Sequence, residues 1–163
     1  MRPLRIRDKK MKKILLVLVS VLVLGIIANA QESYQKQRIA VIELSAIGEK
    51  IKLDLAAKEL TSTLTTRLVK KYGFRYNVAE RSSVEKIIKE LGLQSTQEVN
   101  VRAAEIGKLL GAHKIITGEY ARKTISIRLI NVESGNIEKA ATIKKKNSQV
   151  KNARKLIRRI ELY

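Results

Sequence analysis

RIAVIEL, residues 38–44, decides the fold. Ile39 and Val41 fall on one side of an extended chain, and Ala40, Ile42 and Leu44 on the other, so both alternating sets are apolar. A strand with one wet face would alternate apolar and polar side chains. One apolar on both faces belongs inside a sheet covered on both sides, as parallel sheets are. Past a loop holding Gly48, the period changes from two to three or four. Leu53, Ala57, Leu60, Leu64 and Leu68 make one stripe of a helix over residues 51–71. Tyr72-Gly73 ends it, with Gly73 read as a left-handed cap and Lys70 and Lys71 placed where cations suit the helix dipole. FRYNVA, residues 74–79, is the next strand. Strand, helix, strand implies a crossover and therefore a parallel pair.

The same alternation continues. Ser82 or Ser83 caps a helix to about Leu91, with Ser82 and Glu85 as a capping box and Val84, Ile87, Ile88 and Leu91 inward. Thr96 opens another helix to Leu110, carrying Val99, Val101, Ala104, Ile106, Leu109 and Leu110. HKIIT, residues 113–117, reads as a third buried strand, and residues 118–123 as a turn or bulged connection. Residues 124–132 alternate, with Ile125, Ile127 and Leu129 on one face. Glu133-Ser134-Gly135-Asn136 turns the chain. Residues 137–145 return with Ile137, Ala141 and Ile143 on one face and lysines suited to a protected edge. A last helix starts at Asn147 or Ser148 and runs to about Glu161, its apolar stripe Val150, Ala153, Leu156, Ile157 and Ile160. The expected fold class is α/β: a mixed five-stranded sheet, three parallel strands plus an antiparallel hairpin, flanked by helices.

Upstream, MKKILLVLVSVLVLGIIANAQE, residues 11–32, has the charged, apolar and small-residue order of a secretory signal peptide, with cleavage expected after Ala30. The competing reading is an uncleaved anchor, for which the apolar run is short. Residues 1–30 are therefore read as signal peptide, residues 11–30 as its working part with Met11 the more natural start, and residues 31–163 as a single domain. The protein is expected in the periplasm of a Gram-negative-type envelope. The chain has no cysteine, so burial alone must hold the exported domain, and lipidation at a cleavage-site cysteine is excluded. One histidine and no thiol leave only carboxylate sites for metals.

The net charge is +19. The segment before Ile14 holds seven basic residues against Asp8, so +13 remains downstream. A basic exported domain points to an anionic partner, although net charge alone is equally consistent with simple solubility. The sharpest local feature is the cationic face of the last helix: Lys151, Arg154, Lys155, Arg158 and Arg159. It is the candidate anionic-partner surface, set against the plainer reading of a helix packed by its stripe with its cations in water.

Catalytic chemistry is sparse. GKLLGAHK, residues 107–114, lacks P-loop spacing, and no dinucleotide glycine triplet or nucleophile elbow occurs. Glu43 stands at a strand end, where α/β sheets place ligands, but without a visible acid, base or nucleophile beside it. His113 reads as a boundary histidine. Thr61, Thr63, Thr65 and Thr66 read as the exposed side of the first helix, with a partner-facing surface as the functional alternative. No cofactor and no enzyme activity are expected.

RIAVIEL, YNVAERSSVEKIIKELGLQ, AAEIGKLLGAHKIITGEY and ISIRLINVESGNI together resemble the CsgG-like family, named for the curli secretion channel lipoprotein. Related periplasmic domains occur in the LpoB-type activator of penicillin-binding proteins and at the N-terminus of TolB. The resemblance spans Arg38 to about Lys145. It implies a periplasm-side scaffold used for protein assembly, linked to envelope assembly or curli-like secretion. The alternative it leaves open is a charge-driven cell-wall or membrane-surface binder regulating a penicillin-binding protein. The chain departs from the channel protein in lacking the lipidated cysteine. Its connections at 45–50, 92–96 and 118–123 are also too short for barrel-forming hairpins, whose strands need roughly 9–11 residues each. Expected partners are envelope proteins, with an anionic membrane or cell-wall surface and a second copy of the chain as further candidates; nucleic acid is not expected.

Overall fold

In the computed structural model the described residues are 36–48 and 51–162; the signal-peptide reading falls outside them. In chain order the elements are β1 (Gln37–Val41), β2 (Ser45–Ala46), α1 (Ile51–Tyr72), β3 (Tyr76–Val78), α2 (Arg81–Glu90), α3 (Thr96–Val101), α4 (Ala103–Leu109), β4 (Lys114–Tyr120), β5 (Thr124–Asn131), β6 (Ile137–Lys144) and α5 (Gln149–Ile160). They form a mixed α/β fold on one six-stranded sheet of order β3-β1-β4-β5-β6, with β2 paired to β4 off that path. β1 runs parallel to β3 and β4, while β4, β5 and β6 are antiparallel.

The two apolar sets of β1 enter two different cores. Ile39 and Val41 join Leu60, Leu64, Ile116, Ile127 and Leu156 beneath α1 and α5. Ala40 and Ile42 join Val84, Val99, Ile106, Ile115 and Ile130 beneath α2, α3 and α4. That double burial is why residues 39–42 are all apolar, while Gln37 and Arg38 at the start of β1 are exposed. Leu44 belongs to the first core and not with Ala40 and Ile42, because the chain leaves β1 after Val41 and its alternation lapses.

Several local expectations are corrected. The sheet gains β2, and β4 runs on to Tyr120 through the residues read as a turn, because Gly118 marks a close approach of backbones. A Cβ there would lie 2.1 Å from the Ser126 carbonyl oxygen and 2.8 Å from Ile127 Cα. Gly73 is not a left-handed cap: its N–H donates to the Val69 carbonyl at 3.0 Å, as in a helix. Ser82 does not cap α2, whose N-cap is the extended Glu80; the Ser82 hydroxyl donates to the Glu80 carboxylate. A capping box is formed at the start of α3, between Ser95 and Glu98. The single helix read over 96–110 is split at Arg102 into α3 and α4. On one side of the break Asn100 donates to the Ser45 hydroxyl and accepts from the Thr117 hydroxyl, tying α3 to the sheet. On the other, Ala103 and Ile106 turn into the second core. Val101, Leu109, Ile137 and Val150, read as inward, are exposed. For Ile137 the cause is a register shift between Leu129 and Ile130, which sets it opposite Ile130 instead of in line with Ala141 and Ile143.

Candidate functional site

α5 is fixed before its charges come into play. Ser148 caps it by accepting from the Lys151 N–H. Gln149 donates through Nε2 to the Ala56 carbonyl at 3.3 Å and to the Tyr120 hydroxyl at 3.1 Å, joining the start of α5 to α1 and to the sheet. Asn152, almost fully buried, donates through Nδ2 to the Lys146 carbonyl at 2.8 Å and accepts from the Lys146 N–H at 2.9 Å. Leu156, Ile157 and Ile160 then bury against the first core. Only the opposite face remains for solvent, and it carries the cations.

Beside α1 this packing leaves an open groove of about 680 Å³. Its α1 wall is Ser62, Thr63, Thr66, Arg67, Lys70 and Lys71, and its α5 wall Val150, Arg154, Ile157 and Arg158. Five cations line it and no carboxylate does. Among the described residues, Arg67, Lys70, Arg154 and Arg158 form no ion pair, and the Lys71 ammonium lies 4.8 Å from the centre of the Tyr72 ring. Arg67 and Lys71, like Arg154 and Arg158, are like charges four residues apart on a helix, which repel.

Elsewhere among the described residues some cations are paired and others, such as Lys108, Arg122 and Lys151, are not. Arg81 donates to Glu43 at 3.0 Å and to Glu85 at 2.6 Å, with Lys58 3.9 Å from Glu43. Lys114 donates to Glu138 at 2.7 Å, and Arg102 to Glu105 at 2.6 Å. The Lys114 ammonium, chiefly by its hydrogen bond, holds the Glu138 carboxyl below its ordinary value. Arg102 does the same to Glu105.

The sequence-predicted site residues divide. Arg154 and Arg158 face α1 and line the groove; Lys151, Lys155 and Arg159 do not. Reading α5 alone missed the opposite wall. Its signal was the spacing of Arg67, Lys70 and Lys71 at i, i+3 and i+4, beyond any service to the helix dipole. Of the threonines, Thr63 and Thr66 line the groove, whereas Thr61 is buried in the core instead of exposed. Glu43 is held by its cations at the end of β1. His113 accepts the Arg38 N–H on Nδ1 at 3.1 Å and so tethers β1 to the start of β4. No group of three or more His, Cys, Asp or Glu suited to a metal occurs among the described residues. No helix among them is long and apolar enough to cross a membrane.

The fold is similar to that of the LpoB C-terminal domain from Salmonella enterica, with a TM-score of 0.50 and 15% identity over 74% of this chain and 92% of that one. LpoB from Escherichia coli, solved by NMR, gives a TM-score of 0.53 and 17% identity, over 67% of this chain and 57% of that one. Lipoprotein GNA1162 from Neisseria meningitidis gives 0.48 and 19%, over 68% and 81%. At these identities the likeness to the two LpoB structures is one of fold. No curated protein sequence matches the chain. The model of the family described as "Curli production assembly/transport component CsgG" matches residues 22–122, well over half of the sequence, and this chain therefore belongs to the CsgG family.

Proposed function

We propose that the protein is a non-enzymatic protein-binding and assembly module of the periplasm, acting in envelope assembly or as an accessory of curli-like secretion. Family membership over residues 22–122 carries this reading, because the family is described by curli production, assembly and transport. The scarcity of catalytic groupings in the sequence agrees with it. Partner proteins would engage exposed apolar side chains such as Ile47 and Val101, which share the rim of a second cavity of about 660 Å³.

A second reading is favoured by the α1–α5 groove: a charge-driven binder of the cell wall or membrane surface, acting on a penicillin-binding protein. Crosslinking in the native envelope, followed by mass-spectrometric identification of the crosslinked species, separates the two. A packed protein interface gives a discrete crosslinked protein that survives high salt. Charge-driven surface binding is lost as ionic strength rises. Failure to crosslink to any envelope protein, at low or high salt, would overturn the assembly reading.

A further inference from the structure

We infer that the groove between α1 and α5 is a binding site for a ligand carrying two phosphate groups. This stands apart from the identity of any partner protein and does not rest on it. Arg154 and Arg158 are four residues apart, about 6 Å along α5 at 1.5 Å per residue. Arg67 and Lys71 hold the same interval on the facing wall. Each wall of the groove thus carries two cations a helical turn apart. Three of the five cations are arginines, whose planar forks match the oxygens of a phosphate in pairs. Ser62 and Thr66 line the α1 wall.

Three observations point to an occupant of this kind. The groove gathers five positive charges on two facing helices without a carboxylate among its lining residues. Its volume of about 680 Å³ is that of a small-molecule site, which runs to roughly 300–1,000 Å³. Both walls are anchored, α5 by Gln149 and Asn152 and α1 by its buried leucines, so the helices that carry the cations are fixed side by side before a ligand arrives. An anion that neutralises the cations relieves their mutual repulsion and is bound more tightly for it. The arginines favour a phosphate over a single carboxylate, and two cations a turn apart on each wall favour two phosphates over one.

The test uses the full chain with pyrophosphate and orthophosphate as probes, against chloride at matched ionic strength. Thermal unfolding and calorimetric titration are the readouts, since a ligand bound only by the folded state raises the unfolding midpoint. Arg154→Gln with Arg158→Gln removes one wall. Lys151→Gln with Arg159→Gln removes the same charge from α5 outside the groove. Pyrophosphate should raise the midpoint of the parent and of the second variant, more than orthophosphate does, and its affinity should fall at least tenfold in the first variant alone. Cosedimentation with phosphatidylcholine vesicles, with and without cardiolipin, tells a lipid headgroup from a free diphosphate: selective retention that fails only in the first variant places the two phosphates on a lipid, and groove-dependent pyrophosphate binding without retention places them on a soluble ligand. Equal loss in both variants, or no response to pyrophosphate or to cardiolipin in the parent, overturns the assignment. Each variant's unfolding midpoint without ligand verifies that it is folded.

Discussion

The backbone N–H of Leu44 donates to the hydroxyl of Thr61 at 3.2 Å, and that hydroxyl donates in turn to the Ala57 carbonyl at 2.9 Å. Both residues are buried. A threonine on the inner side of α1 thus satisfies a main-chain donor at the point where the chain leaves β1. Thr61→Val keeps the shape and removes the acceptor, leaving a buried N–H unpaired. The expected loss is about 1–3 kcal/mol. Thr61→Ser retains the hydroxyl and should lose less. Urea unfolding of both variants checks this, and equal stability of Thr61→Val and the parent would show that the bond contributes nothing.

Leu156 of α5 is fully buried in the core under α1. Leu156→Ala is expected to lower stability by about 2–5 kcal/mol, the transfer and cavity cost of an emptied leucine site. On the opposite face of the same helix, Lys151→Ala should stay within about 0.5 kcal/mol of the parent. An unchanged unfolding midpoint for Leu156→Ala would mean that α5 is a free basic tail.

The Lys114–Glu138 pair gives a pH signature. Because the folded-state Glu138 carboxyl is held below its ordinary value, its contribution is complete above the ordinary carboxyl range and is lost as pH falls through the lower folded value. Glu138→Gln should therefore be less stable than the parent at neutral pH, by roughly 1 kcal/mol or less for a partly exposed pair. The difference should close on acidification. Parallel denaturant curves from neutral pH down to about pH 3 measure it; a gap that widens toward acid would reverse the sign argued here.

The leader reading has a direct check. N-terminal sequencing of the protein recovered from the envelope fraction is expected to begin at Gln31. Recovery of a form that retains residues 11–30 would replace cleavage with an uncleaved anchor.

Much of the fold was legible because it is written in periods. The apolar run at residues 39–42, the leucine stripe of α1 and the alternation in β5 each have one physical reading, and the structure follows it. What escaped depends on partners far along the chain. Gly118 looks like a turn until the Ser126 carbonyl is seen against it. Thr61 looks like surface until the Leu44 N–H arrives. The register shift beside Ile130, which exposes Ile137, has no local signal. The groove was half legible: Arg154 and Arg158 stood out on their helix, but only the packing of α5 on α1 brings Arg67, Lys70 and Lys71 opposite them.

The strand order has a temporal consequence. β1 comes first in the described chain, yet its neighbours arrive late: Gln37 pairs with Tyr76, and Ile39 with Lys114. The β4, β5 and β6 ladder, by contrast, is built from consecutive segments joined by short turns. Closing long loops costs more entropy than closing hairpins. The C-terminal half is thus the natural nucleus, and the first strand synthesised is among the last to be seated. Stopped-flow refolding should show it: Ile127→Val in β5 slows folding, whereas Ile39→Val in β1 mainly quickens unfolding. The reverse assignment would place the nucleus in the parallel half. During synthesis β1 can meet β3 along one edge early, but its other edge must wait until the last third of the chain emerges to receive it.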